Sequence, residues 1–205
     1  MNRPPEIRTA RSADVDNVAA LIGHAFATLD VTAWLVPDPD QRAAVLTSDF
    51  RIVVEHALTH GQIHIIDDHD DKLAAAAVWI HHQSETAPAP PPPDYDRRLD
   101  AACGSHADRF RILDGLFADH HPHVYPHHHL AMIATRPDRQ NHGLGTTLLA
   151  QHHAFLDQKH IDAYLEASSE QSRRLYERHG YHRLGEAFHV PSGAPMWPMW
   201  RETDR

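Results

Sequence analysis

The sequence predicts an α/β fold in a single domain, on three observations. Its 205 residues suit one domain with a full core and are too few to require two. Apolar residues switch along the chain between short strand-like runs and helical spacing, in the order β-α-α-β-β-(loop, α)-β-α-β-α-β-β. Late in that order two glycines, Gly143 and Gly145, stand between a strand and an amphipathic helix. No repeat at a fixed period is visible.

Residues 7–10 read as a strand, and Ser12 or Asp14 caps a helix whose Val15, Val18, Leu21, Ile22 and Phe26 recur at helical spacing. Residues 41–60 form a second helix with Val45, Ile52, Val53, His56 and Ala57 on one side and Gly61 as its stop. Strands over 62–67 and 72–81 flank an acidic turn and make an antiparallel hairpin. Pro88, Pro90, Pro91, Pro92 and Pro93 make residues 86–94 a stiff loop, because proline lacks the N–H of a helix or central strand. A helical signal over 94–118 turns Leu99, Phe110, Leu113, Leu116 and Phe117 inward. The strand over 129–135 ends before Pro137, whose predecessor is pushed out of the helical region. A helix over 143–159, a strand over 161–166 and a helix over 170–179 stopped by Gly180 follow. Strands over 181–190 and 196–202 close the chain; Trp197 and Trp200 read as core residues, with a homodimer contact as the alternative.

A net charge of −9 argues against a nucleic-acid surface, which draws on clustered Lys and Arg, and suits a cationic small substrate. The single cysteine, Cys103, has no internal disulfide partner and no basic, apolar signal segment precedes Ile7, which points to the cytoplasm. The longest apolar run, Leu73 to Ile80, is far below the roughly 20 residues that cross a bilayer, so no membrane role is expected.

The turn Gln140-Asn141-His142-Gly143-Leu144-Gly145-Thr146 has the features of an anion site. Glycine lets the backbone close on a ligand, and the first N–H groups of a helix offer donors and partial positive charge to a pyrophosphate. The plainer reading is a tight connection that binds nothing. A dinucleotide fingerprint is the rival, but Leu148 stands where its third glycine belongs, residues 136–142 intervene after the strand, and the motif falls late. A P-loop is excluded by the lack of Gly-Lys-Ser/Thr.

Residues 130–145, Leu-Ala-Met-Ile-Ala-Thr-Arg-Pro-Asp-Arg-Gln-Asn-His-Gly-Leu-Gly, resemble the cofactor motif of the GNAT N-acetyltransferases, an apolar strand followed by Gln/Arg-x-x-Gly-x-Gly/Ala. Residues 167–181 are similar to the second motif, which ends Leu-Tyr-x-x-x-Gly-Phe/Tyr, and Ile-Arg-x-Ala-x-x-x-Asp at residues 7–14 resembles the family's beginning. The resemblance implies a single-domain GNAT fold: a mixed, mostly antiparallel central sheet with splayed core strands and flanking helices. It also implies acetyl-CoA as co-substrate. The pantetheine arm would pair with Ile133, Ala134 and Thr135, and the pyrophosphate would meet Arg139, Gln140, Asn141, His142, Gly143, Leu144, Gly145 and Thr146. Two positions depart from the family pattern. Asn141 and His142 replace the usual Arg or Lys, leaving Arg139 as the nearest fixed positive charge, and Ser169 replaces an Asn, offering one hydroxyl to the cofactor arm.

Direct transfer to an amine needs it neutral, and an alkyl ammonium of pKa about 10 is neutral about one part in a thousand at pH 7, a cost of roughly 4 kcal/mol. Glu166 and His129, at strand ends facing the implied gap, are the candidate bases; in the histone-modifying branch of the family a carboxylate occupies the position of His129. A structural role in hydrogen bonding remains the plainer reading of each. Tyr176 stands where the family places a general acid for the departing thiolate, against a plain packing role.

His120, His121, His123, His127, His128 and His129 crowd one segment, but Pro122 and Pro126 interrupt them, no cysteine pair accompanies them, and structural-zinc spacing is absent. No metal site is expected. The tract is loosely similar to that of actinobacterial relatives of puromycin-type acetyltransferases, which implies a small amine acceptor. Three functions stay open: acetylation of a primary amine on an antibiotic or metabolite, acyl-CoA binding by a non-catalytic sensor or partner module, and acetylation of protein lysines or N-termini.

Overall fold

The computed structural model describes residues 6–68, 70, 72–84 and 91–203. The chain opens with β1 (Ile7–Thr9) and a 3-10 turn (Ser12–Asp14), then α1 (Val15–Phe26), α2 (Asp30–Leu35) and α3 (Pro39–His60). Strands β2 (Gly61–Asp67) and β3 (Leu73–His82) precede α4 (Tyr95–Cys103) and α5 (Ala107–His120). The second half runs β4 (His127–Thr135), α6 (Leu144–Lys159), β5 (Asp162–Ala167), α7 (Glu170–Arg178), β6 (His182–Arg183), β7 (Phe188–His189) and β8 (Pro195–Arg201).

The sheet runs β1-β2-β3-β4-β5-β8-β6, with β7 also paired to β8. Every pair is antiparallel except β4 with β5. That parallel pair holds only over His127↔Asp162, His128↔Ala163 and His129↔Tyr164, after which the strands part. On β4 the register against β3 skips Ala131, since Val78 faces Met132 but Trp79 faces Leu130. The extra residue reverses the alternation of faces. Leu130 therefore packs with Leu148 and Leu149 of α6, whereas Met132 and Ala134 pack with Val18 and Ile22 of α1. Helices α1 and α3 cover one face, α6 and α7 the other. A third cluster, with Val31, Leu35, Leu99, Phe110 and Phe188, joins α2, α4, α5 and β7 into a lobe beside the first face.

Several local expectations change. The Asp14 side chain does not cap α1; its carboxylate accepts from the Arg11 N–H at 2.8 Å and pairs with Arg8 at 2.9 Å. Helix α2, short and held by Thr32 Oγ1 on the carbonyl oxygens of Phe26 and Leu29, was not foreseen. A 3-10 turn at Gly104–His106 divides the helical stretch over 94–118 into α4 and α5. The strand expected over 181–190 contracts to β6 and β7. Residues 86–90 of the proline-rich loop, and 69 and 71 of the acidic turn, lie outside the described residues. Trp200 is buried and Trp197 half-buried beneath the Arg173 guanidinium, 5.9 Å above its ring.

Candidate active site

Strand β4 delivers the chain into a tight turn. Arg136 anchors it, donating its N–H to the Ala74 carbonyl at 2.8 Å and its guanidinium to Asp68 at 2.6 Å. The arginine holds the Asp68 carboxyl far below the usual carboxylate range. Asn141 (φ 62°) and Gly143 (φ 79°) take left-handed backbone, and Gly143 begins α6 with no side chain capping it. The first-turn N–H groups of α6 thus point out of the helix without a side-chain acceptor, the arrangement that favours an anion.

A cavity of about 410 Å³ opens there. Its walls include Ile133, Ala134 and Thr135 from β4, then Arg139, Gln140, Asn141, Gly143, Leu144, Gly145 and Thr146. Across it stand Ser169 and Tyr176. Of the cofactor residues expected from sequence only His142 stands off the cavity, exposed, its Nδ1 2.7 Å from the Gln140 carbonyl oxygen. Ser169 lines the space, but its hydroxyl is engaged: Oγ accepts from the Ser172 N–H at 3.1 Å and donates to Ser172 Oγ at 3.0 Å, capping α7. Arg139 is shared with Asp68 at 3.3 Å. Sequence reasoning missed Gln171, Ser172, Leu175 and Arg178 on the far wall. Arg178, two residues past Tyr176, forms no salt bridge among the described residues, so its positive charge is uncommitted.

The candidate bases meet where β4 and β5 part. His129 Nε2 lies 2.8 Å from Glu166 Oε2, with side chains 17% and 5% exposed. A carboxylate only accepts, so Nε2 donates in this bond, and in the neutral ring Nδ1 is left with the lone pair. Glu166 Oε1 is buried without a hydrogen-bond partner among the described residues. Tyr164, missed from sequence, lies on the same strand face two residues before Glu166, its hydroxyl 3.4 Å from the His120 carbonyl oxygen. Burial and Glu166 push that phenol well above its ordinary value. Tyr176 is buried as well, and burial, then the Glu166 charge, push its hydroxyl upward, so it holds its proton at neutral pH. The three catalytic candidates thus gather at the gap between two strands, with the anion turn at its other end.

A family model described as the acetyltransferase (GNAT) domain matches residues 110–183, from within α5 to β6, a span that contains the cavity walls together with His129, Glu166 and Tyr176. This stretch of the chain is similar to the GNAT acetyltransferase domain. Among solved structures, a Corynebacterium glutamicum protein described as histone acetyltransferase HPA2 and related acetyltransferase is 27% identical, with 98% of this chain and 97% of that one covered and a TM-score of 0.71. Arylalkylamine N-acetyltransferase 2 from Aedes aegypti shares the fold at 12% identity, 98% and 100% coverage and a TM-score of 0.63. The ribosomal-protein-S18-alanine N-acetyltransferase of Escherichia coli does so at 16%, 98% and 94%, and 0.54. GNAT domains take their acetyl group from acetyl-CoA. The uncapped start of α6, the cavity walls and the unpaired Arg178 suit its phosphates and pantetheine arm.

Proposed function

We propose that the protein transfers the acetyl group of acetyl-CoA directly to a primary amine of a small cationic molecule, the whole chain acting as one catalytic domain. The observation that carries this reading is the His129–Glu166 pair at the parting of β4 and β5, with Tyr176 buried beside the cavity. Backbone at Ile133 to Thr135 would hold the pantetheine arm, and the first turn of α6, with Arg139 and Arg178, its phosphates. Bound acetyl-CoA supplies an acetyl thioester and a thiolate leaving group.

His129 takes the amine proton at Nδ1, while Glu166 holds Nε2–H and offsets the positive charge that the ring acquires. Tyr176 gives its proton to the departing sulfur. The net charge of −9 favours a cationic acceptor, and the arylalkylamine enzyme of similar fold supplies the first panel to try. Protein acetylation is the second reading, prompted by the names of the Corynebacterium and Escherichia coli structures. Thiol release from acetyl-CoA is to be followed with arylalkylamines and polyamines on one side and peptides bearing free N-termini or lysines on the other. Turnover on small amines is expected. Turnover on peptides alone would replace the acceptor class, and tight acetyl-CoA binding without turnover on any amine would make the protein a binding module.

A further inference from the structure

The absence of zinc spacing in the histidine tract is an argument about neighbours in sequence, and the fold supplies a ligand from elsewhere. His82, the last residue of β3, pairs in register with His127, the first of β4. Their rings stack at 4.7 Å and 8°. His121, just beyond α5, crosses over both, its ring 4.5 Å from His82 and 5.1 Å from His127. One ring nitrogen from each of the three lies within 4.8 Å of the others. We propose that His82, His121 and His127 form an exchangeable site for a divalent transition-metal ion of the zinc or cobalt type, next to the acetyl-transfer centre.

The tautomers fit that assignment. His127 Nδ1 lies 2.6 Å from the Val124 carbonyl oxygen, so it carries the proton and Nε2 presents its lone pair. A backbone carbonyl on the far nitrogen is the usual partner of a metal-bound histidine. His127 Nε2 is 3.1 Å from His121 Nε2, close to the roughly 3.3 Å between two nitrogens each about 2.0–2.1 Å from a tetrahedral zinc. Without metal, His121 Nε2–H donates to that lone pair; binding moves the His121 proton to Nδ1, so the metal replaces one hydrogen bond and expels no ligand proton. Three imidazoles with an open fourth position suit zinc or cobalt better than calcium or magnesium, which take oxygen ligands.

The His129 ring is 5.3 Å from His121 and 6.2 Å from His82. A divalent cation there repels an approaching ammonium by its charge. Inhibition by the metal rests on the acetyl-transfer reading; the site itself does not.

Untagged, chelator-treated protein is titrated with Co²⁺ while its visible d–d absorption is recorded. One equivalent with a four-coordinate spectrum, displaced by Zn²⁺, is expected. His82→Ala and His121→Ala should each weaken binding by more than the roughly ten- to hundredfold typical of losing a ligand's hydrogen-bond partner, while the exposed His123→Ala leaves it unchanged. X-ray absorption on the zinc-loaded natural protein guards against variants that fail to fold, and should count three imidazoles. No one-equivalent binding, binding that survives both variants, or fewer than three imidazoles would each overturn the proposal. Inhibition without such a site would count against it too, since the metal then acts elsewhere.

Discussion

Burial decides what Tyr176 can do. Its hydroxyl is pushed up by desolvation and by the Glu166 charge, so it stays protonated even in alkaline solution where an exposed phenol would ionise near 10. Tyr176→Phe preserves ring packing against Tyr181, 5.9 Å away at 62°, and removes the hydroxyl that carries that proton. The expected outcome is a fall in kcat of roughly ten- to a thousandfold with little change in acetyl-CoA affinity. A parent-like rate under conditions where chemistry limits turnover would assign the sulfur's proton to water. The base is tested differently. Without His129 the enzyme depends on amine that is already neutral, a fraction that grows tenfold per pH unit up to about 10. His129→Gln should therefore be most impaired at pH 7, by about a hundredfold, and the deficit should shrink as pH rises. A deficit constant with pH would make His129 a positioning residue.

The connection from β4 to α6 separates backbone demands from ligand demands. At Gly143 the left-handed backbone penalises any side chain, so Gly143→Val mixes strain with blockage. Gly145 lies inside α6, where an added Cβ would meet only Leu175 Cδ2 at 3.9 Å and Ile133 Cδ1 at 4.0 Å, ordinary contacts. Gly145→Ala should leave Tm unchanged or higher, since alanine favours helix by about 1 kcal/mol over glycine. It should still weaken acetyl-CoA binding about tenfold or more in calorimetry, because the methyl group faces the cavity; unchanged affinity would remove the phosphates from this turn. This element was legible in sequence because its chemistry is local: glycines, a strand before them and a helix after them. So was Tyr176, carried by a short motif. The Glu166–His129 bond was not legible, since it spans 37 residues and depends on where two strands stop pairing. His82 beside His127 depends on sheet register in the same way, and α2 lacks the length for a periodic signal. Ser169, expected to offer its hydroxyl to the cofactor arm, lines the cavity, but its Ser-x-x-Ser capping pattern already signalled that the hydroxyl would serve α7.

Across the whole molecule, histidines in the core tie stability to pH. His152 of α6 sits between His64 of β2 and His128 of β4, with ring nitrogens 3.0 and 2.9 Å apart, and stacks on Trp79 at 4.0 Å. A neutral imidazole satisfies both contacts, donating one and accepting the other, whereas a protonated His152 has no lone pair to accept with. Burial lowers His152 to about 2, and His128 and His153 to about 3. In the unfolded chain these groups protonate near 6.5, so below that pH the unfolded state binds more protons and folding stability falls. The stabilisation from neutral burial is complete above about 6.5 and is lost progressively toward about 3. Each residue contributes a slope of about 1.4 kcal/mol per pH unit in that window. Asp49 opposes them: burial, then Asp114, raises its carboxyl to about 7, so the folded state gains a proton there that the unfolded state takes up only near 4. These three histidines against this one carboxylate contribute a slope of about 3 kcal/mol per pH unit below pH 6, and His82, His121 and His127, lowered by burial in the same way, add to it with the same sign; that is steep beside a typical total stability of about 5–15 kcal/mol. Urea midpoints measured at intervals from pH 7.5 to 4.5 should therefore drop sharply below about 6.5, before ordinary carboxylates begin to titrate. His152→Gln retains a donor and an acceptor but cannot titrate, and should flatten the slope by about one proton whatever it does to stability at pH 7.5. A midpoint constant over this range, or a His152→Gln slope equal to the parent's, would mean that the imidazole chain accepts its proton without leaving the folded state.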